Sequence, residues 1–114
     1  MSDVPTLVAL SAPLRALRLL TIDFPDLPAP VIDVSSIYPD RLALSFHLSQ
    51  GAFTAFEAWR AALGIAPDAV DFYVQCDHRT GVMTAHTEYV GADVTLTGFT
   101  ELPVGAALSG AGVA

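Results

Sequence analysis

Residues 70–102 read VDFYVQCDHRTGVMTAHTEYVGADVTLTGFTEL. Apolar and polar side chains alternate through most of this stretch, which is typical of strands with one buried face. Two glycine-containing segments, 78–81 and 91–92, supply the turn residues that would separate three strands. The stretch therefore predicts a three-stranded antiparallel meander.

The register of the predicted meander follows from its two turns. A four-residue loop at 78–81 places Cys76 opposite Met83. A turn at Gly91 and Ala92, where glycine suits the type II′ geometry, adds the third strand. One face is then nearly all apolar and is predicted to face the core: Val70, Phe72, Val74, Cys76, Met83, Ala85, Thr87, Tyr89, Val94, Leu96 and Gly98.

The opposite face of the predicted meander is polar, and its side chains fall in rows across the strands. The register places Tyr73, His86 and Thr97 in one row. It also places Asp71 directly opposite Glu88. These five residues are our candidates for a binding surface.

Phe99 is the sixth candidate and the unusual member of that face. The register puts it beside Thr84, where an exposed aromatic ring would indicate a partner surface. A ring covered by the C-terminal tail would instead indicate a face that is only solvated.

A histidine and two carboxylates on one face, with His47 as a neighbour, have the chemistry of a divalent-metal site or an acid–base set. The like-charge pair of Asp71 and Glu88 would also favour a bound cation. Solvent-facing strand positions are normally polar, however, so a solvated face is the simpler interpretation. We therefore assign no catalytic residue, no metal ligand and no cofactor.

Cys76 and His78 suggest a second metal or nucleophile site. A zinc site needs four ligands at recognisable spacing, and the chain has no second cysteine. On the predicted register Cys76 points into the core, where a thiol behaves as a small apolar side chain. We interpret it as structural.

The N-terminal segment predicts an amphipathic helix. Leucines recur at spacings of three and four along it: Leu7, Leu10, Leu14, Leu17 and Leu20. Pro13 interrupts this pattern, because proline removes a helical hydrogen bond. We predict a single helix that begins near Pro5 and is kinked at Pro13; the alternative is a shorter helix that Ser11 caps and that begins near Ala12.

Prolines at 25, 28 and 30 indicate a stiff connector after that helix. Residues 31–35 predict a short edge strand, and the Tyr38-Pro39-Asp40 segment predicts a turn. Residues 42–48 alternate cleanly and predict a strand with one buried face.

A second helix is predicted from aromatic side chains at helical spacing: Phe53, Phe56 and Trp59. Ser49 is the expected N-cap. Gly64 suits the left-handed position after the helix, and Ile65 can then fold back onto Trp59. Trp59 is interpreted as a core residue rather than a binding residue.

Each helix and the sheet have one apolar face, so the chain predicts an α+β two-layer sandwich. The expected sheet has five mostly antiparallel strands with two helices on one face, in the order α-β-β-α-β-β-β. Residues 1–104 would form one domain and 105–114 a flexible tail. The connection between strands 42–48 and 70–77 is long enough for a crossover, so those strands are expected to be parallel.

Composition limits the possible functions. The 114 residues carry a formal net charge of −7 with only five basic side chains, so we expect no nucleic-acid partner. No apolar run approaches the ~20 residues of a membrane helix, so we expect no membrane partner. The single cysteine, Cys76, fits a reducing cytoplasm. The chain has no lysine and no asparagine and is rich in alanine, valine and leucine. This bias is typical of a bacterial or phage protein.

The leading hypothesis is a non-enzymatic protein-interaction module that acts through its open sheet face or an edge strand. Residues 31–35 and 94–102 are the expected free edges, and strand addition by a protein partner or a second copy would occur there. The alternative is a small ligand- or metal-binding enzyme that uses four residues of the open face: Tyr73, His86, Asp71 and Glu88.

Overall fold

Two helices pack on one face of a five-stranded sheet in the computed structural model, which describes residues 4–47, 52–75 and 79–101. In chain order the elements are a 3₁₀ turn (Leu7–Leu10), α1 (Ser11–Asp23), β1 (Val31–Ser35), β2 (Tyr38–Phe46), α2 (Ala52–Ala62), a 3₁₀ turn (Pro67–Ala69), β3 (Asp71–Val74), β4 (Thr80–Tyr89) and β5 (Ala92–Glu101). The predicted α+β fold and element order are confirmed.

The predicted tail lies outside the described residues. Neither described helix is long and apolar enough to cross a bilayer.

The strands are arranged in the order β1-β2-β5-β4-β3. β2 pairs with β5 in parallel, and the other three pairs are antiparallel. β5 is therefore the central strand, and the prediction of a free edge at residues 94–102 is wrong. β2 and β3 run in the same direction, as predicted, but β5 and β4 lie between them.

The core lies between the helices and the apolar face of the sheet. Its fully buried side chains include Leu42 and Leu44 of β2, which pair with Val94 and Leu96 of β5. Pairing these two apolar strands at the centre removes the most apolar surface from water, which explains the parallel contact. The predicted core face of β5 is confirmed.

Gly98 allows α2 to approach the central strand. A Cβ atom at this position would lie 3.0 Å from Met83 Cε and 3.3 Å from Phe56 Cδ2. Both distances are shorter than ordinary carbon–carbon contacts, so the missing side chain makes room for the Phe56 ring. Phe56 is fully buried as a result.

α1 begins at Ser11, so the prediction of one kinked helix from Pro5 is wrong. Pro13 lies in the first turn, where a missing N–H breaks no helical hydrogen bond. Ser11 does not cap the helix through its side chain; its hydroxyl donates to the Val8 carbonyl at 2.6 Å. The buried face of α1 runs through Pro13, Ala16 and Leu20, whereas Leu14 is exposed.

α2 ends in the predicted way. Gly64 has a φ of 74°, and the Ile65 N–H donates to the Arg60 carbonyl at 3.0 Å. This is the hydrogen bond of a Schellman motif, and it carries Ile65 into the core beside the helix. Phe53, which its spacing placed on the same helix face as Phe56 and Trp59, is exposed, whereas those two residues are buried. Ser49, the predicted N-cap, lies outside the described residues.

β1 has the predicted bounds, but the turn after it is shorter than predicted. Ser35 pairs with Tyr38 across the two residues Ser36 and Ile37. Residues 38–40, predicted as the turn, are instead the start of β2. Pro39 is tolerated there because β5 pairs with β2 only from Arg41 onwards, so the missing N–H removes no bond to the centre.

The β4–β5 hairpin turns at Val90 and Gly91, one residue earlier than predicted. Both residues have positive φ, 50° and 83°, as a type I′ turn requires. Ala92, predicted in the turn, is fully buried and pairs with Tyr89. Burial of that methyl group explains the difference and moves the register of the hairpin by two residues.

The β3–β4 hairpin has a register four residues away from the predicted one. Phe72 pairs with Met83 and Val74 with Gly81. The Phe72 ring lies over Gly81, where a Cβ would be 3.0 Å from the ring. An aromatic ring covering a strand glycine stabilises this register. Cys76 and His78 lie outside the described residues.

Replacing Val90 with asparagine should stabilise the protein. A β-branched residue at positive φ is strained, and asparagine followed by glycine is the preferred pair in a type I′ turn. We expect Val90→Asn to raise the free energy of unfolding by about 1 kcal/mol in urea denaturation. Val90→Thr keeps the branched side chain but replaces one exposed methyl group with a hydroxyl, and it should leave the stability unchanged. Equal gains for both variants would show that strain is not the cause.

A tyrosine–carboxylate hydrogen bond joins α1 to the end of β4. The Tyr89 hydroxyl donates to Asp23 Oδ2 at 2.6 Å, over 66 positions of sequence separation. This bond raises the pKa of Tyr89 above its ordinary value, with smaller contributions from burial and from the negative charge of Asp23. Ionisation of the phenol therefore removes a contact that holds the helix to the sheet.

The stabilising effect of Tyr89 should depend on pH. Because its pKa is raised on folding, the stabilisation is complete below about pH 10, the pKa of an unfolded tyrosine, and is lost as pH rises through the folded pKa. At pH 8 we expect Tyr89→Phe to be less stable than the wild type by up to about 1 kcal/mol. The difference should shrink above pH 10 in urea titrations. A difference that does not change between pH 8 and pH 11 would contradict this assignment.

Candidate functional site

Both helices pack on one side of the sheet, and in the described residues no helix lies on the other side, the open face. The observed register sets the rows of this face. Tyr73 of β3 pairs with Val82 of β4, and Val82 pairs with Phe99 of β5. The ring of His47, just after β2, stacks on Phe99 at the other end of this row. One row of the open face is therefore mostly aromatic.

The predicted row of Tyr73, His86 and Thr97 is not formed. His86 lies opposite Thr95, with 3.4 Å between the His86 Nδ1 and Thr95 Oγ1 atoms. Thr97 lies opposite Thr84. The three candidates share a face because both register shifts are even, but they belong to three different rows.

The predicted pairing of Asp71 with Glu88 is also wrong. Asp71 lies opposite Thr84, whereas Glu88 lies opposite Asp93. On its other side Asp93 pairs with Arg41 of β2. The carboxylates proposed to share a metal are therefore separated, and in the described residues no group of three or more His, Cys, Asp or Glu side chains could hold a metal ion.

Phe99 is half-buried and held by its neighbours on the sheet. Its ring stacks on His47 with 4.6 Å between centroids and 12° between planes. His47 Nε2 is within hydrogen-bond distance of Ser45 Oγ, at 3.1 Å. Val82, beside Phe99, is fully buried although it points away from the helices. These contacts give Phe99 a structural role on the open face.

Removal of the Phe99 ring should therefore cost stability. Phe99→Ala removes the ring beside the buried Val82 together with its stack on His47, and we expect a loss of about 1–2 kcal/mol in urea denaturation. The matched control is Thr97→Ala, one step along the same strand face, with an expected loss below about 0.5 kcal/mol. Losses of equal size for the two variants would show that the aromatic row does not stabilise the sheet.

A groove of about 420 Å³ is lined by residues of β2, β4 and β5. Arg41, His86, Asp93 and Thr95 supply its polar side chains. The Arg41 guanidinium lies over the ring of Tyr38, 4.2 Å from its centroid, and this contact orients the cation. The groove holds both signs of charge, which gives it the character of a solvated polar surface.

An apolar cleft of about 200 Å³ lies on the helix side, between the end of α1, the proline-rich connector and Trp59. The Trp59 Nε1–H donates to the Pro28 carbonyl at 2.7 Å. This bond fixes the connector against α2. Trp59 is buried and belongs to the core cluster, in line with its interpretation as a core residue.

β3 is the edge of the sheet with the most apolar exposure. Each of its four residues is exposed, including Phe72 at 57%, Tyr73 at 52% and Val74 at 43%. In the described part of the chain β3 pairs only with β4. It contains no proline and no lysine, and no irregularity interrupts its pairing, so its protection is limited to its short length and to Asp71 at one end.

The backbone of β3 offers hydrogen bonds on its outer side. The Gln75 N–H donates to the Thr80 carbonyl at 2.9 Å, in the same register as the rest of the hairpin. Backbone groups alternate along an antiparallel strand, so those of Tyr73 also point towards β4. The N–H and C=O groups of Phe72 and Val74 therefore point outwards, away from the sheet.

β1, the opposite edge, is better protected. Its pairing with β2 shifts between Asp33 and Ser35, which is the mark of a bulge. Asp33 places a negative charge in the middle of the strand, and Pro30 immediately precedes it. Charge, proline and bulge all disfavour the addition of another strand.

Comparisons with protein-family models, curated protein sequences and solved structures found no match. The candidate site is therefore defined by the geometry of the strands alone. Sequence reasoning missed the edge at β3, because it placed Phe72 and Val74 in the core. The signal was present in the short apolar run of residues 72–74, which is apolar on both faces.

Proposed function

We propose that this protein is a non-enzymatic protein-interaction module and that its binding surface is the outer edge of β3. The observation that supports the proposal is the exposed strand of Asp71–Val74, which among the described strands pairs only with β4. The partner would contribute an extended segment that adds to the sheet beside β3.

The chemistry of the edge limits the partner segment. Phe72 and Val74 flank the added strand on the helix side, and Tyr73 flanks it on the open side. A segment with apolar or β-branched side chains on both faces would bury these three residues. Asp71 at one end favours a basic or neutral residue beside it.

The edge is a better candidate than the open face. The Phe99 ring is held by His47, so it does not provide an exposed aromatic anchor. The remaining rows are rich in threonine, which suits contact with water. The register also places Tyr73, Asp71, His86 and Glu88 in four different rows, which gives less support to the enzymatic alternative.

Strand addition can be tested with a generic peptide and backbone NMR. The probe is a peptide of about nine residues that alternates valine and threonine between terminal lysines. At about 20 µM protein we expect weak binding, with Kd on the order of 0.1–1 mM, and the largest shifts at the Phe72 and Val74 amides. The amides of Asp71 and Tyr73 already point towards β4 and should shift less.

Two controls make the peptide experiment specific. The same peptide with alternate backbone nitrogens methylated cannot complete the ladder and should not bind. Val74→Lys should weaken binding of the unmodified peptide, because a charge replaces an apolar contact. Shifts that map to β1, or no shifts at about 1 mM peptide, would refute strand addition at β3.

A further inference from the structure

We propose that the strand added to β3 is β3 of a second copy of this chain. Two sheets would then join across a two-fold axis into one continuous sheet. This inference rests on the proposed function, because it names the partner for the same edge.

The outward backbone groups select one register for the pair. A two-fold axis perpendicular to the sheet keeps the helices of both copies on one side, so even-numbered positions must face even-numbered positions. With the axis at Tyr73, Phe72 of each copy faces Val74 of the other. All outward N–H and C=O groups of these two residues are then paired.

The neighbouring register is less favourable. Moving the axis to Phe72 would bring Val70 into the pairing, opposite Val74 of the other copy. The Val70 N–H already donates to the Pro67 carbonyl at 3.3 Å, so it is not available for a strand. The axis at Tyr73 uses residues 71–75 alone.

Charge also favours β3 over β1 as the self-pairing edge. Asp71 is the only charged residue among 71–75, and the proposed register places it opposite the neutral Gln75 of the other copy. In β1 an axis at the middle residue would place Asp33 directly opposite its own copy, and facing like charges destabilise a sheet.

The proposed interface is small. Five residues per copy bury less than the roughly 1,200 Å² of a standard interface, so the dimer should be weak, with Kd on the order of 10–100 µM. Sedimentation equilibrium from about 5 to about 500 µM covers this range. We expect the wild-type chain to pass from monomer to dimer across it.

Two lysine variants on opposite edges identify the surface. Val74→Lys should remove the dimer, because the charge would face Phe72 of the other copy. Ile32→Lys is the matched control, since Ile32 is 46% exposed on β1 and Val74 is 43% exposed on β3. It should dimerise like the wild type. Circular dichroism verifies that both variants fold.

A cysteine at position 73 tests the register by a gain of signal. Residues that face each other in a non-hydrogen-bonded pair have Cα atoms about 4.5 Å apart, within disulfide range. In a Cys76→Ser background, Tyr73→Cys should therefore form an intermolecular disulfide under mild oxidation. Asp71→Cys in the same background should not, because position 71 faces position 75.

The results separate this inference from the proposed function. A wild-type chain that stays monomeric up to about 500 µM, or a dimer that Ile32→Lys removes and Val74→Lys does not, overturns self-pairing at β3. A dimer without the Tyr73→Cys crosslink overturns the register. Peptide binding at β3 would still support strand addition in these cases, and its absence would remove both proposals.

Discussion

The parallel contact between β2 and β5 determines the rest of this structure. It brings the apolar face of Leu42 and Leu44 beside Val94 and Leu96 and places the last described strand at the centre of the sheet. Both helices can then cover that centre, and Gly98 gives Phe56 the space to do so. The same contact leaves β1 and β3 as the two edges, so the position of any strand-addition site follows from a pairing made elsewhere in the sheet.

Local patterns were sufficient to predict most of the element types and which strand residues share one face of the sheet. Some signals act through near neighbours in the sequence: the alternation in residues 42–48 and 94–98, and the glycine after α2. They indicate a strand or a helix end whatever the rest of the fold is. Strand order is different. It depends on which apolar faces pair at long range, and nothing within a strand marks its neighbour. The choice of β5 as the partner of β2 could not be deduced from either segment alone.

The candidate site was predicted less well for the same reason. The parity of each residue was right, because a register error of two or four leaves every side chain on its face. The predicted cross-strand neighbours were wrong, and a binding site depends on which side chains lie next to each other across the strands. In the β3–β4 hairpin, Tyr73 faces Val82 rather than His86 because the Phe72 ring covers Gly81. In the β4–β5 hairpin, the register differs because Ala92 is buried in the core and does not lie in the turn. Both causes are packing effects, and the number of residues in a loop does not reveal them.

The two edges differ in a way that would limit assembly. Pairing of β3 with its own copy uses that edge in both molecules and leaves only the two β1 edges at the ends of the joined sheet. Those edges carry Asp33 and a bulge, which oppose further addition. An isologous contact of this kind closes on itself, whereas a contact of β3 with β1 would leave a free edge at each step and propagate. If β3 pairs with its own copy, the protection of β1 and the exposure of β3 would together allow the sheet to add one neighbour and no more.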